Sequence, residues 1–174
     1  MIEGDGRLLN HHWPVPIERA ALDIIGVSAW GNSRKRLLAR RDEDYHAFGA
    51  DVYAPCSGWV KQAADDTRDG DRDFPRAGGN EVVIDNGTEL IIVAHLRRGS
   101  VAVQAGQFVE AGQRIGAIGN SGNSTEPHLH IHAECEGEPR RLLFKDMRRR
   151  FPRGAIITRR AAGLGERHAA LEGE

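Results

Sequence analysis

The chain has 174 residues, of which 40% are hydrophobic, and 24 basic residues stand against 25 acidic ones. That length suits one domain with a real hydrophobic core, and a formal charge of −1 singles out no polyionic partner. Two cysteines, Cys56 and Cys135, exclude a disulfide framework.

The opening MIEGDGRLLN carries neither a basic n-region nor an apolar segment, so no signal peptide is read there. Asn10-His11-His12 follows, and then the apolar run AALDIIGV with a carboxylate, Asp23, inside it. A buried carboxylate is expensive unless it is paired or bound to a metal. Asp23 is therefore either a ligand or half of an ion pair with an arginine such as Arg19. Residues 33 to 44 are polar and basic and predict a short surface helix. His46 precedes the strand-like GADVYAPCSGWV. Residues 65 to 80, DDTRDGDRDFPRAGGN, open like a calcium loop, but Arg76 stands where a bidentate glutamate is required. A solvated insertion walling a groove is the better reading.

EVVIDNGTELIIVAHL places two apolar runs around Asn86-Gly87 and predicts a hairpin with a type I′ turn. Its second run, about Leu90 to Leu96, is the longest apolar stretch and far too short to span a bilayer. After SVAV comes QAGQFVEAGQRIGAIGNSGNS, where Ala-Gly-Gln recurs at 105–107 and 111–113, marking tight turns between short strands. Pro127-His128-Leu129-His130-Ile131-His132 has the two-residue period of a strand, so its three histidines share one face. Cys135, just beyond, reads as a small thiol at a strand end. Arginines crowd residues 140 to 160, including Arg148-Arg149-Arg150, without the aromatic pattern of a nucleic-acid module, so they read as a solvated face. His168 lies in what reads as a frayed tail, 161–174. The sum is an all-β, compact barrel-sandwich of short antiparallel strands with little helix, in one domain over 1–160.

Two histidines on alternate strand positions can share one metal ion, but a zinc site needs three or four ligands. Two upstream groups are candidates: His46 with Asp51, and Asp23 with His11 or His12. His46 and Asp51 are five residues apart, a parity that turns them to opposite faces of a strand. There is no His-Glu-x-x-His helix to supply a glutamate base.

From His95 to Glu134 the sequence resembles the lysostaphin/LytM-type zinc metallopeptidases. The ordered series is Ala94-His95-Leu96, Gly99-Ser100-Val101, GQFVEAGQRIG and GNSGNSTEPHLHIH. The resemblance implies an all-β core with a groove across the sheet, one zinc ion per chain at its floor, and hydrolysis of peptide bonds in peptidoglycan cross-bridges or stems. It also implies that His130, the second member of His-x-His, is a ligand, and that His128 and His95 are catalytic. Some branches place the first histidine well upstream of an Ala-x-Asp strand. Asn10-His11-His12 before Ala21-Leu22-Asp23 resembles that branch, which makes His12 (in preference to His11) and Asp23 the remaining ligands and leaves His46 and Asp51 as bystanders. His132 occupies a position where many relatives carry glutamate; two strand steps, ~6.6 Å, separate it from His130, and it reads as a groove-wall or packing residue. The substrate is then a peptide or peptidoglycan, with no nucleic acid and no membrane span, in the cell envelope or outside it.

Two other readings compete. A non-catalytic relative that binds cell wall or activates another hydrolase would lack ligands, whereas this set is complete. A biotinyl- or lipoyl-carrier domain needs a lysine at a hairpin tip, and no lysine occurs between Lys61 and Lys145.

Overall fold

The computed structural model describes residues 2–3, 15–72 and 75–144. Ten strands run β1 (Ile2–Glu3), β2 (Leu22–Ile24), β3 (Asp51–Tyr53), β4 (Gly58–Ala64), β5 (Asn80–Asp85), β6 (Leu90–Leu96), β7 (Phe108–Val109), β8 (Arg114–Ala117), β9 (Leu129–Cys135) and β10 (Glu138–Arg140). Eight of them form an antiparallel sheet in the order β1-β2-β9-β6-β5-β4-β7, with β10 also paired to β9, while β3 and β8 form a second, two-stranded sheet. The fold is all-β, an open sandwich and not a closed barrel. Its only helical pieces among the described residues are single 3₁₀ turns at Pro16–Glu18 and Asp42–Asp44.

The two sheets enclose the core. Leu22, Val82, Ile84, Ile91, Val93, Val109, Ile131 and Ala133 from the large sheet pack with Val52, Ile115 and Ile118 from the other side. Because strand side chains alternate, the residues between these point to the opposite face. Asp23, Glu81, Ile92, Ala94, His130 and His132 line a groove there.

The hairpin β5–β6 forms as expected, but its turn differs. Residues 86–89 make a four-residue loop in which Gly87 alone has positive φ (+89°). A type I′ turn needs positive φ at both central residues. Here the Asn86 side-chain oxygen instead accepts hydrogen bonds from the backbone N–H groups of Thr88 and Glu89, both at 2.9 Å. The Ala-Gly-Gln repeats do make turns, with Gly106 and Gly112 at φ +83° and +85°.

The helix expected over 33–44 is absent apart from the 3₁₀ turn. Its backbone groups are taken by distant partners: His46 N–H bonds Ser33 O at 2.9 Å, Lys35 N–H bonds Asp44 O at 2.6 Å, and Arg34 bridges to Tyr45. The Asp44 carboxylate accepts from the Arg40 and Arg41 N–H groups, a side-chain alternative to helical bonding. Cys56 and Cys135 are free thiols. No helix among the described residues is long and apolar enough to cross a membrane. His11, His12, the arginines of 148–150 and the segment 161–174 lie outside the described residues.

Candidate metal centre

Strand register brings the site together. Asp23 on β2 is the cross-strand neighbour of His130 on β9, which on its other side faces Ala94 on β6. Asp23 and His130 are each 3% exposed. The Asp23 Oδ1 atom lies 2.9 Å from His130 Nδ1 and 3.6 Å from His128 Nε2. His130 Nε2 in turn is 3.0 Å from His132 Nδ1.

His95 arrives by a different route. On β6, Ile91 and Val93 face the core while Ile92 and Ala94 face the groove, so regular alternation would turn His95 inward. The register changes between Val82 (opposite Val93) and Asn80 (opposite Leu96), which leaves one extra residue on β6. This is a β-bulge, the usual device for re-aiming a side chain. His95 sits in it with φ +59°, an uncommon conformation for a residue other than glycine. The bulge puts His95 in the groove beside Ala94 and returns Leu96 to the core.

Backbone and side-chain bonds hold that conformation. His95 N–H bonds Gly78 O at 2.9 Å, and Gly119 N–H bonds His95 O at 3.0 Å. A buried polar knot lies behind it. Asn80 donates from Nδ2 to the carbonyls of Thr67 and Leu96, its Oδ1 accepts from Thr67 N–H, and Ser121 Oγ links Asn80 N–H to Leu96 O. Gly79 (φ +64°) faces Ser121 and Gly122 so closely that a Cβ on it would lie 2.5 Å from the Ser121 carbonyl carbon. The signal for this support lies in AGGN and GNSGNS, but nothing local in those stretches says that they meet.

Both flanking imidazoles are oriented through Nδ1. His95 Nδ1 lies 2.8 Å from Ser121 O, and His128 Nδ1 lies 2.8 Å from Glu126 O. A carbonyl only accepts, so each ring carries a proton on Nδ1. Burial first, then the neighbouring His128 and His130, push His95 down to about 3, so it stays neutral near pH 7. Burial also raises the Glu81 carboxyl above its ordinary range, opposed by Arg76 and His130; Gln62 donates to it at 2.7 Å.

The donor set suits a metal. His95, His128 and His130 each offer a ring nitrogen, all within 4.8 Å of one another. Two ligands at ~2.0–2.1 Å from one tetrahedral ion stand ~3.3 Å apart; the 2.9 Å between Asp23 Oδ1 and His130 Nδ1 needs only a few tenths of an ångström of widening. The other candidate pair is elsewhere. His46 is exposed, and exposed Asp51 makes a 2.6 Å ion pair with Arg114 across β3 and β8. His132, 7% exposed, lines the groove, as do Ala77 and Gly78 of the 65–79 loop.

This two-sheet β chain carries a groove lined by histidines and a carboxylate, and comparison with known proteins places it in a family. Residues 43–141, more than half of it, match peptidase family M23, and the chain belongs to that family. Over 106 residues it is 37% identical to the peptidoglycan DD-endopeptidase ShyA of Vibrio cholerae, covering 60% of this chain and 22% of the relative. It is 29% identical over 132 residues to the L-Ala–D-Glu endopeptidase of Bacillus subtilis, covering 70% of this chain and 37% of the relative. Among solved structures it is similar to the antimicrobial peptidase lysostaphin from Staphylococcus simulans, with 27% identity, 54% and 38% coverage of the two chains and a TM-score of 0.44. The chain thus spans only about a fifth to just over a third of the length of these curated relatives.

Proposed function

We propose that this chain is a zinc-dependent endopeptidase that cleaves peptide bonds in peptidoglycan, with one zinc ion held by His12, Asp23 and His130. The observation that carries the reading is the 2.9 Å approach of His130 Nδ1 to the buried Asp23 carboxylate, flanked by two imidazoles whose Nδ1 atoms are held by backbone carbonyls. Two histidines and one aspartate would leave an open coordination position. When bound, zinc supplies a Lewis acid that makes water acidic enough to react near neutral pH.

The chain's own residues account for the remaining work. A backbone carbonyl at Nδ1 fixes the orientation of both His95 and His128. One takes a proton from the attacking water, and the other, entering the reaction already protonated on both ring nitrogens, donates to the scissile carbonyl oxygen as negative charge develops there. The groove, about 480 Å³, accommodates a short extended peptide. Membership of family M23 and relatives named for peptidoglycan endopeptidase activity support the substrate class and an envelope or extracellular site of action.

The test joins metal analysis with digestion. Protein purified without chelator should contain about one zinc per chain, and incubation with purified peptidoglycan should release new amino termini. The relatives are named for two different bonds, so product analysis should look for cleavage at both D,D-cross-links and L-Ala–D-Glu. Absence of zinc, with no uptake on adding it, overturns the proposal. Loss of zinc in His95→Ala would instead favour a centre built from His95, His128 and His130.

A further inference from the structure

We infer that, when zinc is bound, His132 is a positioning residue for His130: its Nδ1 accepts a hydrogen bond from His130 Nε2–H and so leaves His130 Nδ1 to the ion it would share with Asp23. The inference rests on the proposed role of His130 as a zinc ligand.

A neutral imidazole carries one proton, and a metal takes the nitrogen that lacks it. If His130 binds through Nδ1, the nitrogen beside Asp23, its proton must sit on Nε2. That N–H is buried, since His130 is only 3% exposed, and it needs an acceptor. His132 Nδ1 stands 3.0 Å away. The two rings meet edge to face, centroids 5.2 Å apart and planes at 70°, which suits an N–H directed at the other ring's in-plane lone pair.

The strand makes this meeting possible. His130 and His132 lie on the same face of β9, paired to Ala94 and Ile92 of β6, so both rings stand over small or aliphatic neighbours and lean together along the strand. Metal-binding histidines nearly always pass their second nitrogen to a carboxylate, a carbonyl or water. Here an imidazole fills that place, which distinguishes His132 from residues that merely line the groove.

The experiment compares three substitutions by zinc affinity, measured by competition with a chromophoric chelator on the whole chain. In His132→Asn a side-chain oxygen takes the position of the histidine Nδ1; in His132→Gln it lies one bond further out; in His132→Leu there is no acceptor. The leucine and glutamine variants should bind zinc about 10- to 100-fold more weakly, the cost of losing such an outer partner, and the asparagine variant should approach the unaltered chain. Nitrogen-15 NMR of the zinc-loaded protein should show the His130 proton on Nε2 in the unaltered and asparagine chains. Tight zinc binding by His132→Leu overturns the inference while leaving the enzyme reading intact. Should His132→Leu fail to fold, equal affinity in the glutamine and asparagine variants overturns it as well. Failure of the unaltered chain to bind zinc overturns both.

Discussion

Replacing Asp23 by asparagine separates the carboxylate's charge from its shape. The side chain is 4% exposed and its Oδ1 lies 2.9 Å from His130 Nδ1, so asparagine can occupy the same space and still offer an oxygen there. Without metal, a hydrogen bond with a charged partner becomes a neutral one. These contribute roughly 1.5–3 and 0.5–1.5 kcal/mol, so the apo protein should lose only about 1 kcal/mol. Asp23→Ala also removes the acceptor from a buried N–H and leaves a cavity, so it should cost about 2–3 kcal/mol. Zinc should discriminate far more sharply. Loss of an outer partner costs about 10- to 100-fold in metal affinity, and loss of a direct carboxylate ligand should exceed that. Denaturant unfolding with and without zinc reads both effects. Zinc at a hundred times its dissociation constant should stabilise the unaltered chain by about 2.7 kcal/mol and Asp23→Asn hardly at all. An asparagine variant that keeps the full zinc-induced shift, with unaltered affinity in chelator competition, would refute the assignment of Asp23 as a ligand.

His128→Ala and His95→Ala should each lower peptidoglycan hydrolysis by about 10²- to 10⁴-fold with zinc retained, whereas His130→Ala should lose the metal. Zinc retained in His130→Ala but lost in His128→Ala would reverse those roles. Metal-free protein should become less stable in mild acid because of His95. Its pKa is about 3 in the folded state against the ordinary 6.5, so below pH 6.5 the unfolded chain takes up a proton that the folded one does not. This contribution is complete above pH 6.5 and falls by up to about 1.4 kcal/mol per pH unit on the way down to about 3. Urea midpoints of the apo protein between pH 7 and pH 4 should show a steeper decline than those of His95→Gln, and parallel curves would contradict the assignment. Gly79→Ala should destabilise the fold by about 2–4 kcal/mol, from the left-handed backbone and the crowding against Ser121. Thermal unfolding measures this, and an unchanged midpoint would mean that the loop yields.

How much of this was written locally in the chain follows from the range of the forces involved. The period of two in Pro127–His132 was enough to align three imidazoles, because side-chain direction in a strand is a property of the backbone itself. The β5–β6 hairpin and the Ala-Gly-Gln turns were legible for the same reason, as was the cost of burying Asp23. Residues 33–44 were misread because their backbone partners lie at the two ends of the segment, not one helical turn along it. Only the tertiary structure decided that Asp23 meets His130. The two are 107 positions apart, and their contact depends on which strand β9 chooses as its neighbour. The placement of His95 is the clearest case. Alternation within β6 would bury it in the core, and the resemblance alone named it as catalytic. The bulge that turns it into the groove is held by Gly78, Gly119 and Ser121, residues from loops on either side of β6 whose packing no local pattern encodes.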